Sequence, residues 1–280
     1  MQSALASATA KGRIAPIGSG ENARYSGASP IDFTAEASIA RLAPFAALID
    51  TTMILSGEAH ARLQGGGTLA APQITGPITA DHLALALPAA GVDLKGGTLR
   101  ATLTQRQMRV DSFSIRGGEG TLSASGTLAR AGFDEASIDW RAERFMVLGR
   151  PDRRLVVTGK GNAALQGGKL AFTGTVRANE GRFELADSAL PTLSEDVVIV
   201  GRPRARPDAV RNPPAAVDLR VELGNNVQVR GRGVDIWLAG NVRLQTSARG
   251  ELQATGTVDA RRGTFVAYGQ RLDIERGHLY

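Results

Sequence analysis

The sequence contains no cysteine. That excludes disulfide frameworks, thiolate-built zinc sites and cysteine nucleophiles. It leaves the compartment open, because a chain without thiols tolerates an oxidising one. Aromatic residues are scarce, at 5%, so one compact core would be short of large side chains. No apolar run is long: Ala43 to Ile49 falls far short of the ~18–20 residues that span a bilayer. The first ten residues have neither a basic nor an apolar segment, so they are not a signal peptide. Any export signal or membrane anchor is expected outside this sequence. Catalytic patterns are also missing. His60, His82 and His278 are far apart and lack metal-ligand spacing. Asp81-His82 has no serine elbow beside it and reads as a surface dipeptide. No Gly-Lys-Ser phosphate loop occurs. No enzyme, cofactor or metal is expected.

What is present is glycine, 34 of 280 residues, against a usual ~7%. It lacks the three-residue period of collagen. The 42% hydrophobic content, much of it alanine, is too high for disorder. Many short strands joined by tight turns remain. Basic residues outnumber acidic ones 33 to 27, for a net charge of +6 and a pI of about 10.3. This permits an anionic partner. The arginines are scattered along the strands, often beside Asp or Glu, as on a solvated outer face. Arg202, Arg204, Arg206 and Arg211, among Pro203, Pro207, Pro213 and Pro214, lack the aromatics that stack on nucleic acid. They read as an extended loop, and no nucleic-acid partner is expected.

Gly-Thr-Leu or Gly-Thr-Val recurs at Gly67, Gly97, Gly120, Gly126, Gly174 and Gly256. Around these glycines residues alternate. Leu252, Ala254, Gly256 and Val258 share one parity; Gln253, Thr255, Thr257 and Asp259 share the other. Such alternation predicts antiparallel strands with one apolar and one wet face. A longer unit repeats: Gly161 to Gln166 matches Gly240 to Gln245. Thr173 to Phe183 likewise matches Thr255 to Phe265. A weaker copy runs from Gly57 to Gly65. Gly65 to Gly67 and Gly117-Gly118 read as turns. Pro30 to Ile49 predicts a short amphipathic helix interrupted at Pro44. Asp187 to Pro191 predicts a turn before a strand at Val197 to Val200. Arg202 to Pro214 is the longest loop. The end at Leu279-Tyr280 reads as the inside of a strand, as in a piece of a longer protein.

The C-terminal third carries a recognisable succession. Val217-Asp218-Leu219-Arg220-Val221 leads to Leu223-Gly224-Asn225-Asn226-Val227. Val229 to Val234 and Leu238-Ala239-Gly240 follow, then Arg262-Gly263-Thr264-Phe265, Tyr268 to Leu272 and Ile274 to Gly277. This order resembles the TamB family of AsmA-like proteins of diderm bacteria. Leu69 to Ile78 and Gly118 to Gly126 extend the resemblance over roughly residues 55–280. It implies a β-taco: an elongated antiparallel sheet folded along its length into a trough with an apolar interior. It divides the chain into an N-terminal segment with a short helix (1–54), a β-repeat trough (55–200) and a truncated C-terminal β-taco continuous with it (201–280). It implies a periplasmic protein anchored in the inner membrane. It implies phospholipid transfer to the outer membrane and a link to outer-membrane protein assembly. The implied partner is a TamA-like outer-membrane barrel protein of the Omp85 type, contacted through its POTRA domains.

Parity within each strand nominates the lining of the trough. The nominated residues are Leu99, Leu103, Leu122, Leu128, Leu170, Phe172, Val176, Phe183, Leu185, Leu219, Val221, Val227, Val229, Ile236, Leu238, Val242, Leu244, Leu252, Val258, Phe265, Leu272 and Ile274. About 18 strands at ~4.8 Å would stack to roughly 85 Å. Trp237 has the opposite parity and is expected outside. Gly126, Gly174 and Gly256 share the inward parity, where they would leave space for a ligand. The alternative is a structural solenoid of the autotransporter type, with a filled core and no ligand. A solenoid keeps a constant rung length, whereas the spacing here is irregular and hairpin-like.

Overall fold

The structure, a computed structural model, describes residues 5–18, 22–46, 52–129, 135–185, 215–247, 250–267, 270–274 and 277–279. Alternating sequence becomes strand almost throughout. The strands are β1 (Ala6–Ile14), β2 (Ile31–Ile39), β3 (Ile54–Gly67), β4 (Pro72–Leu87), β5 (Val92–Leu103), β6 (Gln107–Gly117), β7 (Gly120–Ala129) and β8 (Glu135–Gly149). After them come β9 (Arg153–Gln166), β10 (Lys169–Glu184), β11 (Ala216–Gly231), β12 (Val234–Thr246), β13 (Leu252–Ala267), β14 (Gln270–Ile274) and β15 (Gly277–Leu279). A short helix, α1 (Ala43–Ala46), lies between β2 and β3.

These fifteen strands form one sheet, in chain order from β1 to β14, with β15 also on β13. At ~4.8 Å per strand it extends roughly 60 Å, shorter than the expected stack. The pairing is antiparallel except between β10 and β11, which run parallel. A parallel pair needs a long connection, and Glu184 and Ala216 are far enough apart in the sequence for one. The expected turn at 187–191, strand at 197–200 and loop at 202–214 lie outside the described residues.

Two expectations are corrected. Ile31, Phe33, Ala35, Ala37 and Ile39 alternate with polar residues and form β2, not a helix. Period-two burial outweighs the helix propensity of the Ala-Glu-Ala stretch. Among the described residues of this stretch only the turn around Pro44 is helical, where proline fits a first helical turn. Gly65 to Gly67 end β3 instead of forming a turn; the turn follows at Thr68 to Ala71. Gly65 is needed within the strand because the Phe33 ring occupies the place of its missing Cβ.

The sheet is folded by its own irregularities. Register shifts occur at Ala80–Leu85 in β4, Lys95–Thr98 in β5 and Val110–Phe113 in β6. They continue at Ala142–Phe145 in β8, Ala178–Gly181 in β10, Leu223–Val227 in β11 and opposite Trp237–Leu238 in β13. Each bulge bends its strand and increases the local twist. Apart from the one at Val110–Phe113, they align diagonally across successive strands and make a crease. Burial follows this line: Ala80, Ile115, Ala142, Phe145, Val157, Ala178 and Val227 are all buried, and each lies at or beside a shift. They are screened by the two flanks of one sheet, which makes the sheet an open trough.

Candidate functional site: an unbroken apolar row

Directly paired residues of neighbouring strands project to the same face. Following the pairs across the sheet gives one row: Ala6, Ile39, Ala59, Ala80, Leu99, Phe113, Ala124, Trp140, Gly161, Gly174, Leu219, Leu244 and Ala254. It crosses every strand from β1 to β13 and has no polar member. A parallel row runs from Ala8 through Ala37, Ala61, Ile78, Ala101, Val110, Gly126, Ile138 and Ala163 to Phe172 and Val217.

The nominated residues that lie in paired strands share this face. Leu99, Leu219 and Leu244 belong to the first row, Phe172 to the second, and Leu252 sits opposite Thr246. Leu103, Leu128 and Leu170 lie in the row beyond the second, with Met108, Ala136 and Leu165. Leu122, Val176, Val221 and Val242 align with Ala142 nearer the crease. Val258 beside Gly240 lies at the crease, and Val227 with Leu238 past it. Phe183, Val229, Ile236 and Ile274 form one more row, and Phe265 pairs with Leu272. Leu185 follows β10, its N–H donated to the Arg230 carbonyl.

Sequence reasoning missed Phe113, Ile115, Trp140, Phe145, Val157 and all of the row N-terminal to Leu99. Phe113 and Phe145 each lie just past a bulge, where parity within the strand slips. The parity of β8 up to Ala142 would have found Trp140. The inward glycines are also corrected. They are not vacant: the Trp140 ring lies over Gly161 and Gly174, and Ile138 covers Gly126. Gly256 meets only backbone, at Asn241 and Val242. A glycine lets a large neighbour lie along the sheet instead of standing up into the trough, so the space is gained above the ring.

The opposite face carries the charge. Arg62 pairs with Glu36, Arg100 with Asp81, Arg177 with Glu222 and Arg243 with Asp218. Hydrogen bonds from Arg243 hold the Asp218 carboxyl below the usual carboxylate range. The Thr102 hydroxyl and then Arg109 do the same for Asp111, and Arg150 for Asp152. Trp237 projects to this face, with the Arg262 guanidinium 4.6 Å from its ring centroid. A shallow hollow across β8 to β13 is lined by Arg141, Lys160, Arg220 and Arg243 together with Val176, Val221 and Val242. Asp81 is taken up by Arg100, while His82 Nδ1 lies 3.2 Å from Glu58 Oε1. Among the described residues no cluster of acidic residues and histidines could hold a metal. No helix there is long and apolar enough to cross a membrane.

No curated protein and no solved structure matches the chain. The family model of the TamB C-terminal domain matches residues 109–280, which holds the crease from β6 onward and most of the apolar row. On that match the chain belongs to the TamB family, periplasm-spanning proteins of the translocation and assembly module.

Proposed function

We propose that the apolar face carries phospholipid acyl chains through the periplasm, as a non-catalytic bridge between inner and outer membrane. The observation that carries this reading is the row from Ala6 to Ala254, unbroken across thirteen consecutive strands. Exposing one methylene costs about 0.8 kcal/mol. A lipid with two chains of ~16 carbons would therefore lose roughly 25 kcal/mol on leaving apolar cover. Movement along the sheet needs a path without polar interruption, and this row supplies one. Large apolar side chains left open on that face, such as Phe172 and Leu252 at 37% and 62% exposure, also support the reading. A structural solenoid would fill that space. In the full-length protein an inner-membrane anchor and a TamA-like outer-membrane barrel partner, met through its POTRA domains, would complete the route and link it to outer-membrane protein assembly.

Photo-crosslinkers placed singly in the full-length protein test this. Phe172, Leu244 and Phe265 are expected to yield lipid adducts, while Gln253 and Thr257, on the polar face, yield none. Equal labelling of both faces would sink the reading.

A further inference from the structure

The trough is not equally open along its length. Between β5 and β9 the crease is packed solid. Ile115, Ala142, Phe145 and Val157 are 3–8% exposed. Leu94, Leu122, Val147 and Leu155 pack against them. β6 ends at Gly117 and β7 begins at Gly120, so this hairpin stops at the crease and contributes nothing to the far flank. The Phe145 ring lies against Gly117. β8 continues past the missing hairpin and joins the start of β5. The Gly149 N–H donates to the Gly91 carbonyl at 2.8 Å, and Arg150 Nη1 donates to the Ala89 carbonyl at 2.7 Å. Arg150 is itself held by Asp152 at 2.7 Å. Nearer the C-terminal end the face is open: Leu252 and Leu272 are more than half exposed.

We infer that acyl chains cross β5 to β9 on a shelf and not in the crease. The shelf is Leu99, Phe113, Ala124 and Trp140, one row above the packed cluster. Phe145 fills the depth below it. The clasp of Gly149 and Arg150 on the β4–β5 turn holds Phe145 there. The trough is thus shallow and narrow at this point and deep beyond it. This inference rests on the reading of the apolar face as a lipid path.

This sequence holds no cysteine, so no native thiol within it competes for the label. Single Ala124→Cys and Ala142→Cys variants of the full-length protein are exposed to a phospholipid carrying a maleimide at its acyl terminus. Both substitutions are small, and the two alanines lie in adjoining rows of neighbouring strands. Leu244→Cys reports on the path itself and Ser123→Cys on the polar face. The Ala124→Cys variant is expected to label as fast as the Leu244→Cys variant. The Ala142→Cys variant is expected to label more than about tenfold slower, because a buried thiol reacts only through local opening. Equal rates at the two alanine sites would overturn the shelf while leaving the path intact. Labelling of the Ala124 and Leu244 variants no faster than Ser123→Cys would overturn the path. Adding Arg150→Ala to Ala142→Cys is expected to speed its labelling; an unchanged rate would show that the clasp does not hold the crease shut.

Discussion

At the scale of single residues, the trough depends on pairs of one large and one missing side chain. Phe33 lies where the Cβ of Gly65 would be, and Trp140 lies over Gly161 and Gly174. Gly65→Ala puts a methyl group into the Phe33 ring, an overpacking error of about 1–3 kcal/mol. The variant should melt at a lower temperature, and Phe33→Ala should recover part of that loss in the double variant. Additive losses would mean that the ring does not need the glycine. Parity made most of this face legible. The alternation around Gly174 and Gly256 placed Leu170, Phe172 and Val258 with no structural information. What parity could not tell was that two inward glycines, Gly126 and Gly174, are covered by side chains. That depends on which residue of the next strand lies opposite, and register is not written in a single strand.

At the scale of strands, bulges decide which residues face inward. In β8 the extra residue lies between Ala142 and Phe145, and Arg144 takes φ +45° there. Its N–H is satisfied by the Thr158 hydroxyl at 3.0 Å. Arg144→Gly should leave the melting temperature equal or higher, since glycine adopts this backbone without steric cost. Deleting Arg144 removes the extra residue and with it the bend, while Phe145, then two residues from Ala142, keeps its face. The deletion should lower the melting temperature, because the flank beyond Phe145 is no longer turned to cover the crease. A deletion variant that melts like the parent would show that this bulge does not fold the sheet. The same slips explain the residues missed by sequence reasoning. Parity counted from Ala142 puts Phe145 on the wrong side, and parity counted from Val110 does the same for Phe113. The helix expected over Pro30 to Ile49 failed for another reason. Ala-Glu-Ala satisfies a helix as readily as a strand, and only the pairing of β2 with β1 and β3 decides between them. The repeat, by contrast, was visible: its two copies are the β9–β10 and β12–β13 hairpins. Their registers differ by two residues, with Asn162 opposite Thr173 but Asn241 opposite Thr257. An even shift keeps every side chain on its face.

At the scale of the whole molecule, one sheet serves as both walls of a trough, and its buried residues mark the fold line. The general architecture was legible because hairpin turns and alternation are local. The crease was not, because it arises only when bulges in separate strands align. The parallel join of β10 to β11 was equally hidden, since nothing local distinguishes a parallel neighbour from an antiparallel one when both faces alternate. The central claim is continuity of the apolar row, and a charge placed in its middle tests that most directly. Ala124→Arg in the full-length protein lies between photo-crosslinkers at Leu99 and Leu244, with folding checked by circular dichroism. Without the arginine both positions should capture lipid. With it, adducts should persist on one side of the block and fall away on the other. Undiminished capture on both sides of a folded Ala124→Arg protein would contradict a continuous path along this row.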